Sequence, residues 1–267
     1  STPGNCDGVI AVLALRHSGA KVGFSDLGPE ISIAAPGGNC INIAAGTACL
    51  YPILAATDIG TQGALASSWT DSFNASLGTS YSSPLVAGVA GLMFSARPSL
   101  SPDQVRMAMR TTARPFPTSG SDNGPDDTTP VAQCRAPVSG TDQYQCYCTT
   151  ALCGAGMLDA GEGLSAVVKG VMAKIDVVTA TPVAESDILL DGQSSLAIAD
   201  SQIVGWAWSI VDGGGVATRF SGPTNESTAS INASAAGTIR VRLTVVGNAG
   251  GQASAERSIN VAAAPAK

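Results

Sequence analysis

The stretch that most constrains this chain is Leu77 to Gly88, where a glycine-led turn carrying a serine precedes small and apolar residues. The apolar run continues to Met93 with spacing close to that of a buried helix. Gly78 permits a close turn, and Pro84 favours either an early helical turn or a cis peptide bond before it. The sequence therefore predicts a buried helix that begins beside Ser80.

Ser80 is a candidate nucleophile. A serine hydroxyl attacks only when a base removes its proton and the backbone presents Oγ outward. A helix starting here aims its first N–H groups and its positive dipole end at Ser80, where an oxyanion would form. Thr79 either supports that oxyanion through its hydroxyl or simply satisfies the turn. The Gly-x-Ser-x-Ser pattern does not fit the Gly-x-Ser-x-Gly elbow of the α/β-hydrolases.

Gly78 to Gly88 resembles the nucleophile motif of the subtilisin-like serine proteases, or subtilases. That motif reads Gly-Thr-Ser, a variable residue, then small-x-Pro-x-Val-Ala-Gly. Leu85 departs from it where the family usually has a non-catalytic histidine, and Tyr81 where many members have methionine. Val9 to Gly38 resembles the subtilase core strands through Val-Ile-Ala-Val, Phe-Ser-x-x-Gly-Pro-Glu and Ala-Pro-Gly-Gly. The resemblance implies an α/β, three-layer fold with a parallel sheet, incomplete in this chain.

The pattern of apolar and polar residues changes after the subtilase-like part. Gly154 to Asp159 resembles the segment that closes a subtilase catalytic domain, so the first domain is expected to span residues 1–170. Residues 171–262 alternate apolar residues with Gly, Asp and Asn turns, which predicts an all-β sandwich. Their Leu-Asp-Gly, aromatic-x-Trp and Val-x-Leu-Thr-Val segments resemble a PKD-type, immunoglobulin-like domain. Residues 263–267 are interpreted as a linker stump.

The chain lacks candidates for two members of a catalytic triad. Its single histidine, His17, is expected in a turn after a core strand, whereas the subtilase histidine precedes those strands and opens a helix. Asn5 falls too late to match the family's oxyanion asparagine. The resemblance therefore implies the C-terminal portion of a subtilase, whose histidine and aspartate belong to an N-terminal segment. The chain alone is expected to be inactive.

Two further sites follow from the same resemblance. The pocket for the substrate residue before the scissile bond should be lined by Ser1, Thr2, Pro3 and Gly4. Several subtilases bind a weak cation with the help of an aspartate that matches Ser32 here, and the missing carboxylate leaves a structural calcium unsupported. We expect no required cofactor and no metal.

Seven cysteines indicate disulfides and secretion. A bridge between Cys6 and Cys40 would brace the pocket wall, with a free thiol at either place as the alternative, and Cys49 is the candidate for the odd cysteine. Cys146-x-Cys148 with a nearby cysteine also suggests zinc, but zinc sites favour about two to four residues between paired cysteines. The other disulfide candidates are Cys134, Cys146, Cys148 and Cys153.

Composition narrows the class of function. A net charge of −6 with 13% charged residues argues against nucleic acid or an anionic membrane as the main partner. No run approaches roughly 18 apolar residues, and no signal peptide opens the chain, so a mature or trimmed product is expected. The leading hypothesis is a serine endopeptidase acting on proteins or peptides, secreted or at a bacterial cell surface. The alternative is a non-catalytic binding or adhesion protein on a degenerate subtilase scaffold.

Overall fold

The computed structural model describes residues 4–40, 48–73, 75–124, 127–141 and 143–265. The chain divides into two compact units, the first formed by Ser1–Ser95 with Val105–Gly163 and the second by Ala96–Gln104 with Leu164–Lys267. All three points of division fall inside helices, and the domain boundary at residue 170 stays a prediction.

The first unit is built on two parallel strands, β1 (Val12–Leu15) and β2 (Ile33–Pro36). Leu13 and Ile33 are completely buried. Continuous apolar runs without alternation are typical of parallel strands that are covered on both faces. The prediction of buried parallel strands in this part of the chain is therefore confirmed.

Within the described residues three helices follow, α1 (Thr79–Ala96), α2 (Pro102–Thr111) and α3 (Ala160–Lys169). Ser101 caps α2, because its Oγ accepts from the Gln104 N–H at 3.2 Å while Gln104 Oε1 accepts from the Ser101 N–H at 2.9 Å. Asp159 Oδ1 accepts from the Glu162 N–H at 2.9 Å and caps α3. The start of each of these two helices was predictable because capping is local.

The connection between β2 and α1 carries a short hairpin, β3 (Ala56–Asp58) and β4 (Ser67–Trp69). The Asn39 N–H donates to the Tyr51 carbonyl at 2.8 Å, and the Ile53 N–H donates to the Ser76 carbonyl at 2.9 Å. Both ends of the connection are therefore tied to neighbouring backbone. The large apolar side chains that are exposed in its described part are Leu50, Tyr51, Leu54, Ile59, Leu65, Trp69, Phe73 and Leu77.

The predicted pairing of Cys6 with Cys40 is wrong. Cys40 is bonded to Cys49, with their Cα atoms 4.8 Å apart, and Cys6 is a free, exposed cysteine. The reason is the backbone hydrogen bond between Asn39 and Tyr51, which folds the chain back on itself. Cys40 and Cys49 lie close to these two residues in the sequence and are thereby brought together. Cys49 is therefore not the odd cysteine.

We call residues 114–153 the strap. Its two disulfides, Cys134–Cys146 and Cys148–Cys153, confirm the prediction that cysteines cross-link this segment. The strap is also hydrogen-bonded to Arg16, which directly follows β1. The buried Arg16 side chain donates to the Asp122 carbonyl and, at 2.8 Å, to Gln145 Oε1. A Pro-, Gly- and Asp-rich segment with little core of its own is thus held by covalent bonds and a buried cation.

Lys21 is a second buried cation beneath the strap, with 2% of its surface exposed. Its Nζ donates to the carbonyls of Val22 and Gln143, both at 2.9 Å. Burial lowers the pKa of Lys21 from 10.5 to about 8, although the charge of Asp26 acts in the opposite direction.

This lowered pKa predicts a stability change with pH. Between pH 8 and 10.5 the unfolded chain binds the Lys21 proton more tightly than the folded chain, so folding stability should rise with pH across that window. The check is a urea titration in a Cys6→Ser background. Between about pH 7.5 and 9.5 the urea midpoint of the first unit should rise more steeply with pH in the protein that keeps Lys21 than in its Lys21→Met variant. Identical slopes in the two proteins would show that burial does not control this group.

The part of the second unit that the structure describes contains eight strands in an antiparallel arrangement. They are β5 (Val171–Met172), β6 (Asp176–Val177), β7 (Asp187–Asp191), β8 (Leu196–Ala197), β9 (Ile203–Asp212), β10 (Thr228–Asn232), β11 (Gly237–Gly247) and β12 (Gln252–Val261). Two sheets have the orders β10-β7-β6 and β12-β11-β9, and β5 pairs with β8. Residues from both larger sheets, including Leu190, Ile231 and Leu243, share one buried core. The predicted sandwich is confirmed.

Both tryptophans of β9 face this core. Trp208 is buried and its Nε1 donates to the Glu226 carbonyl at 3.0 Å, while Trp206 is half-buried against the same cluster. Residues two apart on a strand point to the same side of the sheet. Neither ring is therefore a free outward platform for a ligand.

Candidate active site

Ser80 is the second residue of α1 and directly follows a tight turn at Gly78. Gly78 has a φ of +145°, a conformation that favours glycine. Its N–H donates to the Gly37 carbonyl at 2.8 Å, and its carbonyl accepts from the Tyr81 N–H at 3.0 Å. These bonds hold the start of α1 against the end of β2.

Ser82 fixes the rotation of α1 about its own axis. Its side chain is completely buried, and its Oγ donates to the Pro36 carbonyl at 3.0 Å. Successive helical residues are rotated by roughly 100°, so Ser80 faces the opposite side and is exposed. Sequence analysis did not single out Ser82, although a serine within an apolar helical run was a signal for such an anchor.

Gly37 allows three elements to meet at this point. A Cβ there would lie 2.6 Å from the Cβ of Ala14 and 3.0 Å from Ser82 Oγ. Both distances are too short for a side chain without rearrangement of the turn. Gly37 thus has a packing reason, which is the close approach of β1 and α1.

A cleft of about 240 Å³ opens beside the start of α1 and reaches Thr79. Its acidic side chains are Asp26 and Glu30, so a substrate residue bound there would meet negative charge. The remaining lining residues are Gly4, Asn5, Ala11, Val12, Phe24, Ser25, Leu27, Gly28 and Ile31.

The predicted substrate-pocket residues are only partly covered by the structure. Gly4 lines the cleft. Ser1, Thr2 and Pro3 lie outside the described residues. The supporting role of the Thr79 hydroxyl and the pocket role of Gly4 stay predictions.

The start of α1 is favourable for a developing negative charge. The first N–H groups of a helix have no acceptors within the helix, and its dipole places partial positive charge there. The 18 residues of α1 include no charged side chain. An oxyanion formed at Ser80 would therefore meet backbone dipoles and no acidic group of α1 itself.

His17 lies in an exposed turn after β1. Its ring stacks on Tyr51, with centroids 3.5 Å apart and an interplanar angle of 15°. Partial burial and the nearby Arg16 guanidinium lower the pKa of His17, against the opposing charge of Asp122. The aromatic stack was not predictable from the sequence, because the two residues are brought together by the long connection after β2.

One face of α1 is uncovered. The side toward the first unit is formed by Ser82, Val86, Val89 and Met93, which are buried. Leu85 and Leu92, seven residues apart and thus on the same stripe, are 42% and 55% exposed. A helix that is apolar on all sides is typical of a protein interior.

The positions that bear on metal binding are Ser32 and the cysteines of the strap. Ser32, which matches the family's cation-binding aspartate, is buried. Across the described residues, the one group of His, Cys, Asp or Glu ligand atoms close enough to hold a metal is Cys134, Cys148 and Cys153 of the strap. The expectation that no cofactor is required stays a prediction.

Comparison with known families agrees with this geometry. Residues 1–133 match the subtilase family, peptidase S8. This part of the chain, which contains β1, β2 and Ser80 at the start of α1, is therefore similar in sequence to the subtilases. No helix in the described part of the chain is long and apolar enough to cross a membrane.

The following relatives are named as proteases or as a subtilisin, and two of them are named as extracellular proteases. The chain is 37% identical over 113 residues to a halolysin-like extracellular serine protease of Natrialba magadii, covering 42% of this chain and 16% of that protein. It is 37% identical over 118 residues to an extracellular protease of Xanthomonas campestris, covering 44% and 17%. Subtilisin DY of Bacillus licheniformis is 32% identical over 111 residues, covering 42% and 32%. The chain thus spans a third or less of each of these relatives.

Two solved structures align with parts of the chain. A protease of Pseudoalteromonas arctica has a TM-score of 0.44 and 28% identity, covering 62% of this chain and 38% of that one. The PKD1 domain of the Vibrio cholerae metalloprotease PrtV has a TM-score of 0.26 and 20% identity, covering 35% and 98%. The strand pairing of the second unit itself defines its sandwich.

Proposed function

We propose that this chain is part of a secreted serine endopeptidase that hydrolyses peptide bonds with Ser80 as its nucleophile. The observation that carries the proposal is the exposed Ser80 at the start of α1, held by Gly78 and Ser82 beside an open cleft. The substrate is a protein or peptide. Secretion is supported by the extracellular relatives and by the three disulfides.

The chemistry divides between this chain and an N-terminal segment of the same protease. Ser80 Oγ attacks the scissile carbonyl after a histidine of that segment takes its proton, and an aspartate orients the histidine. The N–H groups at the start of α1 stabilise the tetrahedral oxyanion. The histidine then gives the proton to the leaving amine. Ser80 and its helix are this chain's contribution.

The uncovered face of α1 supports such a partner. Leu85 and Leu92 are apolar side chains of a kind that proteins bury, and each is still about half exposed. Full burial of a leucine is worth roughly 1.5–3 kcal/mol, so covering the exposed half of each is worth about half of that. We infer that the N-terminal segment covers this face. Binding of the segment would thus complete the core and the catalytic triad in one event.

Labelling with a fluorophosphonate tests the proposal. The probe should acylate Ser80 when the N-terminal segment is present and leave the chain alone unlabelled, because the hydroxyl needs its base. Ser80→Ala should remain unlabelled in both preparations. Equal labelling with and without the segment would contradict the shared triad. No labelling in either preparation would instead favour a non-catalytic scaffold.

A further inference from the structure

The cysteine cluster of the strap has a chemistry that the proposed protease does not use. The Sγ atoms of Cys134, Cys148 and Cys153 lie within 4.8 Å of one another, and Cys146 is bonded to Cys134. All four residues are buried. We propose that the reduced chain binds one Zn²⁺ through these four thiolates, and that the two disulfides are the oxidised form of the same site.

The spacing of the sulfur atoms is close to what the metal needs. Zinc binds thiolates tetrahedrally with Zn–S of about 2.3 Å, which places the sulfurs about 3.8 Å apart. The Cys134 sulfur, within 4.8 Å of those of Cys148 and Cys153, must therefore approach them by about 1 Å or less, while the two sulfurs within each disulfide must separate by about 1.7 Å. Opening the disulfides frees all four sulfurs to move by rotation about their Cα–Cβ bonds.

The backbone holds the cysteines in place without the disulfides. The Cys134 N–H donates to the Tyr147 carbonyl at 2.9 Å, and the Tyr147 N–H donates to the Ala132 carbonyl at 2.8 Å. The Lys21 N–H donates to the Cys146 carbonyl at 3.0 Å, and the Cys153 N–H to the Thr149 carbonyl at 3.0 Å. Reduction leaves these bonds intact, so the ligands remain gathered.

The surroundings suit a charged metal complex that is shielded from water. Leu13, Leu15 and Ala34 pack against the sulfurs and exclude solvent. Zinc with four thiolates carries a net charge of −2, and two buried cations, Arg16 and Lys21, are hydrogen-bonded to strap residues within three positions of Cys146. Fixed positive charges of this kind lower the cost of burying the thiolates.

The conversion balances as follows. Two molecules of a dithiol reductant supply four electrons and four protons, so each disulfide becomes two thiols and each dithiol becomes a disulfide. Metal binding then releases the four thiol protons to solvent. A chain that has not yet met an oxidant would thus have its strap held by metal, and oxidation would replace the metal by covalent bonds.

Cobalt(II) is the probe for this site. The chain is reduced with dithiothreitol, desalted without oxygen and titrated with Co²⁺. We expect one equivalent to give the visible d–d bands and thiolate charge-transfer band of tetrahedral tetrathiolate cobalt, and one equivalent of Zn²⁺ to abolish them. The double variant Cys40→Ser/Cys49→Ser, which removes the disulfide outside the strap, should behave identically. Absence of these bands in the reduced wild-type chain overturns the proposal.

Variants within the cluster identify the ligands. Cys148→Ser/Cys153→Ser should lose the tetrahedral spectrum. Cys148→His keeps four ligands and should shift the bands, which separates ligand loss from misfolding. An unchanged spectrum in either variant would show that the metal binds elsewhere.

Discussion

Replacing Ser80 by alanine in the protease assembled from this chain and its N-terminal segment is expected to lower kcat for a peptide substrate by about 10⁶-fold. That is the approximate loss when a subtilisin loses its nucleophile. The residual rate would come from the oxyanion site and substrate binding alone. Steady-state hydrolysis of a chromogenic peptide by matched preparations measures the effect.

Ser83→Ala provides the matched control. Ser83 is an exposed serine three positions further along α1 and is no part of the proposed machinery. Its loss should leave kcat unchanged. If Ser80→Ala retained the wild-type rate, another residue would have to be the nucleophile, and the proposed function of this chain would fail.

Replacing Leu190 by alanine is expected to destabilise the second unit by about 2–5 kcal/mol. Leu190 is completely buried in the sandwich core, and truncation there loses burial and leaves a cavity. Leu189, its neighbour on β7, faces outward and is 42% exposed. Leu189→Ala should cost less than about 1 kcal/mol.

Urea denaturation followed by tryptophan fluorescence measures both variants. In a Trp69→Phe background the remaining tryptophans, Trp206 and Trp208, belong to the sandwich core cluster and report its unfolding. If the two variants lost equal free energy of unfolding, the structure would be contradicted, because it buries Leu190 and exposes Leu189.

Local signals made much of the fold predictable. The buried runs of β1 and β2, the caps of α2 and α3, and the alternation of the sandwich strands each depend on residues close together in the sequence. The same is true of the turn at Gly78, whose glycine is required by a positive φ. Such features need no knowledge of distant contacts.

Features that join distant segments were not predictable. Cys6 and Cys40 suited a disulfide on the sequence alone, yet the bond between Asn39 and Tyr51 brings Cys40 to Cys49 instead. The stacking of His17 on Tyr51 has the same origin.

The sequence by itself determined the subtilase resemblance, the turn before Ser80 and the change to a β-sandwich, because each of them depends on residues that are contiguous in the chain. Only the tertiary structure decided which cysteines pair and that Ser82 anchors α1. It also decided that Arg16 and Lys21 are buried beneath the strap. The physical reason is that these outcomes depend on distances between segments far apart in the chain, which the packing of the whole first unit sets.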